Sequence, residues 1–448
     1  MLRLLHALLR RVAGSRPPTA SPDALSGDNP FDTLPPPLVR EIFTRLPADE
    51  RARAACVCPA WRRTLAEPAL WTRLDLTYES GGVRCLVAEA ALHAVAARAQ
   101  GRLEALTVEL CEETWPALRA IMAANGASLR EVTVDCVILY SLDSARCLEM
   151  LQELQAALPA LEVLEVPRMS CYFSVARLML RNQPPFELLR LRRLSIYQDL
   201  EIVIDMPTLA ADILAHPSLT ELTLFGANGP PPTGAVDALI DVAPALRLKD
   251  LRLQSANLTP VAVPALARVL SSARELNLLS ITNVPSTAGV QLLDAATAPL
   301  FANALRANRT LWLLSLTNVR LWDDVTAGVV FLNALVGHPS LCFMDLTGNQ
   351  VHNATDALAV GAALGALVAA DTAAFHELHV GNNGLGDDGL LPLCEALPCN
   401  SHMRKLLLRD NGMSDAFMAE RLLPVMQGRA NFDCWPPGGQ GPVRPVHT

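Results

Sequence analysis

From Trp71 onward the chain repeats one short frame, LxxLxLxx followed by Asn, Cys or Ala, and no other feature restricts the fold so strongly. The clearest copies are LKDLRLQSANLT from Leu248, LWLLSLTNVRL from Leu311, LCFMDLTGNQV from Leu341, FHELHVGNNGLGDDG from Phe375 and MRKLLLRDNGMSD from Met403. Weaker copies begin at Leu103, Leu129, Leu161, Leu191, Leu219 and Ala273. WTRLDLTY from Trp71 opens the series, which makes about twelve units. Within each copy the alternating apolar residues predict a short strand whose second and third leucines, such as Leu251 and Leu253, point inward. The stretch between copies reads as a helix. A strand-helix unit of this size cannot bury its apolar face alone, so neighbours must stack. Copies at Leu191, Leu219 and Leu248 start 28 or 29 residues apart. The longer step from Ala273 to Leu311 implies an insertion within residues 283–309, and the step into Leu161 implies another near Tyr140. Such insertions fall on rim loops, where binding specificity can sit.

Frame and spacing resemble leucine-rich repeats, and the C-terminal copies, with NGLGDDGLLPLCEAL between strands, resemble the ribonuclease-inhibitor subtype. The resemblance implies an α/β solenoid over residues 72–434, with parallel strands on its concave face and helices on its convex face. Asn349, Asn383 and Asn411 should hydrogen-bond backbone in the turn after the strand. Cys111 and Ala256 take the same place in their copies, so Cys111 reads as a packing residue.

Ahead of the repeats, FDTLPPPLVREIFTRLPADERARAACVCPAWRRTLAEPALW from Phe31 to Trp71 has helical apolar spacing at Leu34, Leu38, Ile42 and Leu46, then Val57, Trp61 and Leu65. Pro35, Pro47, Pro59 and Pro68 divide it into short helices. Too small to bury a large core, it should leave apolar surface at Pro35, Leu38, Ile42, Phe43, Val57 and Trp61 for a partner helix to cover. Residues 30–71 resemble the F-box: LP at Leu34 and Pro35, Leu38, the IF pair Ile42 and Phe43, LP at Leu46 and Pro47, VC at Val57 and Cys58, WR at Trp61 and Arg62, and LW at Leu70 and Trp71. That resemblance implies docking on the Skp-type adaptor of a cullin-RING (SCF) ubiquitin ligase through Leu34, Pro35, Leu38, Ile42, Phe43, Leu46, Val57 and Trp61. The chain departs from the family where Arg51 follows Glu50 and small Ala52, Ala54 and Ala55 follow, which thins the apolar face of the second helix.

A net charge of -8 and a pI near 5.6 argue against a sequence-independent nucleic-acid binder, which needs a basic stripe. Eleven cysteines without a CxxC pair fit a reducing compartment better than a disulfide framework. No apolar run reaches the length of a membrane span. The nearest is LAVGAALGALVAA, Leu358 to Ala370, whose Gly361 and Gly365 suit a helix that comes close to its neighbour. Residues 1–29 read as a leader: Met1 to Arg16 is basic and amphipathic, compatible with an organellar transit peptide or a solvated helix, and a Pro- and Ser-rich linker follows. A cytoplasmic or nuclear location suits the adaptor reading. The tail 435–448 has no periodicity and reads as disordered.

There is no GxxxxGK[ST], GxSxG or HExxH, so no catalytic, cofactor or metal site is expected. His376 and His379 fall on one strand, where a spacing of three puts them on opposite faces. The functional surface should be the concave face, whose residues read Arg73, Asp75, Glu109, Glu131, Asp135, Glu165, Arg193, Tyr197, Glu221, Phe225, Asp250, Arg252, Gln254, Glu275, Leu279, Phe343, Asp345, Glu377, Lys405 and Arg409. Its first half leans acidic, which would favour a basic segment of a protein target. Pro167, Tyr197 and Phe225 share one position in consecutive copies and, with Glu165 and Glu221, form the expected target-binding patch. Two functions fit: substrate recognition for an SCF ligase, or a scaffold or inhibitor unconnected to ubiquitin in which the helical segment is a cap.

Overall fold

The computed structural model describes residues 34–46, 48–75, 78–80, 83–85, 97–108, 115–134, 136–139, 144–172, 180, 188–197, 206–225, 240, 247–255, 258, 260–283, 291–427 and 433–435. The leader, Glu109, Cys111, Asp135, Tyr140, Ala256 and residues 436–448 lie outside them. The chain divides into two units, Met1–Met169 with Asn182–Leu191, and Ser170–Arg181 with Arg192–Thr448.

The first unit starts with three short helices. Helix α1 (Pro36–Thr44) opens on proline, whose fixed φ suits a first turn, and buries Val39 and Phe43. Helix α2 (Ala48–Ala54) follows, then α3 (Pro59–Leu65), whose N-terminus is capped by Cys58 Sγ accepting from the Trp61 amide at 3.4 Å. A 3₁₀ turn, Pro68–Trp71, leads straight into strand β1 (Arg73–Asp75). A small antiparallel pair, β2 (Tyr78–Ser80) and β3 (Val83–Cys85), comes next. Strand β4 (Ala105–Val108), helix α4 (Trp115–Asn125), strands β5 (Glu131–Val134) and β6 (Cys136–Leu139), helix α5 (Ser144–Ala157) and strand β7 (Val163–Tyr172) complete the order. Strands β1, β4, β5 and β7 pair in parallel and place Leu74, Leu106, Val132 and Leu164 in one lateral row, none more than 3% exposed.

The second unit repeats one scheme. Strands β8 (Leu189–Tyr197), β9 (Glu221–Phe225), β10 (Asp250–Gln254), β11 (Leu278–Thr282), β12 (Leu313–Thr317), β13 (Phe343–Asp345), β14 (Glu377–His379), β15 (Lys405–Leu407) and β16 (Asp433–Trp435) pair in parallel, each with the next. Leu194, Leu222, Leu251, Leu279, Leu314, Met344, Leu378 and Leu406 form the buried row. Replacing one of these leucines by alanine would cost about 2–5 kcal/mol. Helices α6 (Met206–Leu214), α7 (Val263–Ser272), α8 (Ala298–Ala307), α9 (Val325–Leu335), α10 (Ala354–Ala369) and α11 (Gly386–Ala396) alternate with the strands. Phe301 of α8 stacks on Phe331 of α9 at 6.1 Å.

This is the α/β leucine-rich-repeat architecture that the frame implies. One frame shifts: Leu279 is fully buried beside Leu251 and Leu314, so that copy starts at Leu276 rather than Ala273. The run ARELNLLSI fits the pattern in either register, and lateral pairing with β10 and β12 decides between them. Leu278, Ser280 and Thr282 therefore occupy the open-face positions of β11, and Leu279 and Glu275 do not. Trp435, placed at the start of the tail, belongs to the last strand.

Buried carboxamides hold the turns. Asn349 accepts from the Val319 and Leu321 amides at 2.9 and 3.1 Å and donates to the Leu316 and Leu346 carbonyls at 2.7 and 2.9 Å. Asn383 accepts from Trp322 Nε1 at 2.7 Å and donates to Leu346 O, and Asn411 accepts from the Asn383 amide at 3.1 Å and donates to Val380 O. One residue earlier, Ser255, Asn318, Gly348, Asn382 and Asp410 all adopt left-handed φ between 52° and 80°. That conformation suits Gly, Asn and Asp, which is why those types recur there. A second ladder lies before the strands, where Asn308, His338 and Asn400 accept from the amides of Leu311, Leu341 and Met403. On α10, a Cβ at Gly361 or Gly365 would run into the carbonyls of Gly389 and Pro392, so these glycines permit the close approach of α10 to α11.

Candidate functional site

On α1, Leu38 and Ile42 are one turn apart and share a face. Leu38 is 51% exposed and Ile42 is half-buried, while Pro35 is exposed and Leu34 and Val57 are half-buried. The remaining expected contact residues point the other way. Phe43 (0% exposed), Leu46 and Trp61 (4%) are buried, which corrects the expectation that Phe43 and Trp61 leave apolar surface open. Three short helices still need a core, and they build it from their largest rings. Phe43 meets Trp61 edge to face at 5.3 Å, and Trp71, fully buried, donates its indole N–H to Leu65 O at 2.8 Å. The open apolar face is therefore narrower than the sequence implies and centres on Leu38. A two-point ion pair between Arg40 and Glu67, at 2.7 and 3.1 Å, ties the outside of α1 to the turn before the 3₁₀ segment.

Arg51, the departure on α2, is buried at 4% exposure. Its guanidinium donates to the carbonyls of Leu70 and Arg73 and lies 4.9 Å from the Trp71 ring centroid; Arg98 lies 5.0 Å from the same ring. The residue that thins the apolar face of α2 thus satisfies backbone where the helices turn into the first strand. An arginine after an acidic residue, at a place usually apolar, was the only sign of this in the sequence.

Along the open face of the second unit, Tyr197 and Phe225 are direct lateral neighbours on β8 and β9, stacked at 4.1 Å with planes 4° apart. Glu221 accepts from Arg193 at 2.7 Å, and Asp250 lies 3.5 Å from Arg252. In the first unit, Glu131 is held by Arg73 at 2.5 Å, and Glu165 and Pro167 are half-buried on β7. Glu131, Glu221 and Asp250 therefore have guanidinium partners, and the field they present is smaller than their number suggests. Further along the second unit, β11 and β12 carry neutral hydroxyls: Ser280 lies 3.5 Å from Thr282 and Ser315 lies 3.1 Å from Thr317. At β13 to β15 charge returns. Glu377 accepts from Lys405 at 2.5 Å and bonds His379 Nε2 at 2.6 Å, with Asp345 3.8 Å from the other ring nitrogen and Phe343 edge-on at 4.7 Å. Burial pushes the Asp345 carboxyl up, but hydrogen bonds from His379 and Thr347 outweigh it and leave the group below its ordinary value.

His376 bonds the His402 carbonyl and does not join His379. Among the described residues no group of three His, Cys, Asp or Glu could hold a metal. Burial pushes the Cys394 thiol up to about 12 and raises Cys342 as well, the opposite of what a thiolate nucleophile needs. No helix among the described residues is long and apolar enough to cross a membrane.

With these surfaces defined, comparison adds family information for one part of the chain. The family described as F-box-like matches residues 31–77. The chain is also similar to the leucine-rich repeat-containing protein LegL7 from Legionella pneumophila, at 14% identity, with 80% of this chain and 98% of that chain covered and a TM-score of 0.31. No curated protein matches the sequence.

Proposed function

We propose that this chain, an F-box-like domain followed by leucine-rich repeats, is the substrate-recognition subunit of an SCF-type (cullin-RING) ubiquitin ligase. The F-box-like helices would dock on the Skp-type adaptor, and the repeats would hold a protein target. The observation that supports this most is the pair Leu38 and Ile42 on α1, an apolar helical face left uncovered while the large rings behind it are packed. On this reading the chain forms and breaks no bonds; it contributes proximity and orientation of a target lysine, with transfer done by other subunits in the cytoplasm or nucleus.

Tyr197 and Phe225 are the proposed target anchor. A half-buried stacked pair on an open sheet face presents a large rigid contact area at small entropic cost, as interface hot spots do. Reconstitution with a Skp-type adaptor, cullin and RING subunit tests the scheme. Proteins ubiquitinated in a wild-type extract should be lost with Tyr197→Ala plus Phe225→Ala while adaptor binding persists, and unchanged modification by the double variant would remove these residues from the site.

The burial of Phe43, Leu46 and Trp61 favours a second reading, a scaffold or inhibitor in which the helices only cap the repeats. A chain that forms no adaptor complex at micromolar concentration would support it.

A further inference from the structure

In the first unit, the end of α1 and the open faces of β1, β4 and β5 enclose a pocket of about 350 Å³. This volume sits at the lower end for small-ligand pockets. Its floor is open because Ala105 carries only a methyl group between its lateral neighbours Arg73 and Glu131. Those two side chains meet over the alanine at 2.5 Å, and Thr107 and Thr133 line the pocket one step further along the strands. Three guanidiniums, of Arg45, Arg51 and Arg73, line it beside the carboxylates of Asp75 and Glu131.

The three cations differ in what balances them. Arg45 is paired with Glu41 at 2.7 Å, and Arg73 with Glu131. Arg51 is buried against two backbone carbonyls, and its Nε has no partner among the described residues. Burial pulls its pKa down. A buried cation without a counter-charge is costly, and an anion in the adjoining pocket would offset that cost. Arg73 could help. Its pair with Glu131 is solvent-exposed at 63% and 49%, and exposed pairs of this kind contribute little to stability, so Arg73 can turn to a bound oxyanion at little loss.

We propose that this pocket binds one compact oxyanion, held by Arg73 and the Thr107 and Thr133 hydroxyls and balanced by the buried charge of Arg51. The group comes either from a free ion or from an acidic side chain of a bound protein. The site does not depend on adaptor docking.

The test follows the arginine side-chain Nε–Hε resonances of the full chain during titration with acetate, inorganic phosphate and a doubly capped glycine peptide carrying one glutamate. Sodium chloride at matched ionic strength is the control. Saturable shifts of Arg51 and Arg73 with at least one of the three probes, absent with chloride, are expected. Tighter binding of the peptide than of acetate assigns a protein side chain, and the reverse assigns a free ion; either upholds the site. Arg73→Met should weaken binding about tenfold, the size of one charge-assisted hydrogen bond. Thr107→Trp should abolish binding by filling the space. Arg73 is exposed and Thr107 half-buried on the sheet face, so the fold is expected to survive, and unchanged chemical shifts elsewhere check this. No saturable shift with any probe, or shifts that both variants leave unaltered, would overturn the proposal.

Discussion

The two units differ in one of the means by which they satisfy buried backbone. In the second, the solution repeats with the strands: Asn349, Asn383 and Asn411 stand in equivalent turns, and Asn308, His338 and Asn400 stand before equivalent strands. In the first, Asn125 bonds the Leu103 amide and the Ile121 carbonyl, but where helices give way to strand one non-repeating arginine does the work, close to the Trp71 ring that Arg98 also approaches. A periodic solution spreads its cost over many small neutral groups. A single solution concentrates it in one buried charge, and that is where an uncompensated group, and with it a candidate ligand site, arises.

Substitutions can break this contrast. The largest loss is expected from Asn383→Ala, which strands the Trp322 indole N–H and takes one of two donors from the Leu346 and Gly381 carbonyls; denaturant unfolding should show a loss of about 3 kcal/mol, and a loss below about 1 would mean that the ladder carries little. Arg51→Met comes next. It leaves two carbonyls without a donor but removes the cost of a buried charge, so a net loss of about 2 kcal/mol is expected in unfolding of the full chain. A gain in stability would show that Arg51 is kept for binding rather than for the seal. Tyr197→Ala should cost about 1 kcal/mol, the order of a stacked pair, measured the same way.

The smallest effect sharpens the comparison within the second unit, because His338 does a job that Asn308 and Asn400 do without titrating. Burial, the largest cause, holds the His338 imidazole below its ordinary 6.5. The unfolded chain then binds more protons than the folded one below that value, so stability from this residue is complete above about pH 6.5 and falls as pH drops through it. His338→Asn should keep the fold and flatten this part of the stability profile. A profile with the same slope in both proteins would place the pH dependence elsewhere.

Much of this was legible in the sequence for a physical reason. A strand that packs against copies of itself must repeat its inward leucines, so Leu251, Leu253 and the turn asparagines are visible without coordinates. Direct lateral neighbours follow from the same register, which is why Tyr197 and Phe225 could be paired in advance. The frame at Ala273 failed because ARELNLLSI satisfies the pattern twice, and only pairing with both neighbours separates the two registers. The direction of Phe43 and Trp61 failed for another reason. Helical spacing puts residues on a common face but does not say whether the chain's own core or a partner takes it. Arg51 was visible only as an irregularity, since its acceptors, Leu70 O and Arg73 O, are backbone atoms about twenty residues away that leave no mark in residue type.

The claim on which the functional account depends is that α1 offers Leu38 and Ile42 to an adaptor. Isothermal titration of the full chain with a purified Skp-type adaptor tests it directly, comparing the natural chain with Leu38→Asp plus Ile42→Asp. Leu38 is exposed but Ile42 is half-buried, so a loss of about 1 kcal/mol is expected, and the unfolding midpoint checks that the variant stays folded. The account predicts sub-micromolar binding by the natural chain and a loss of at least about a hundredfold, near 3 kcal/mol, in the variant. Equal affinities, or no binding by either chain, would contradict it.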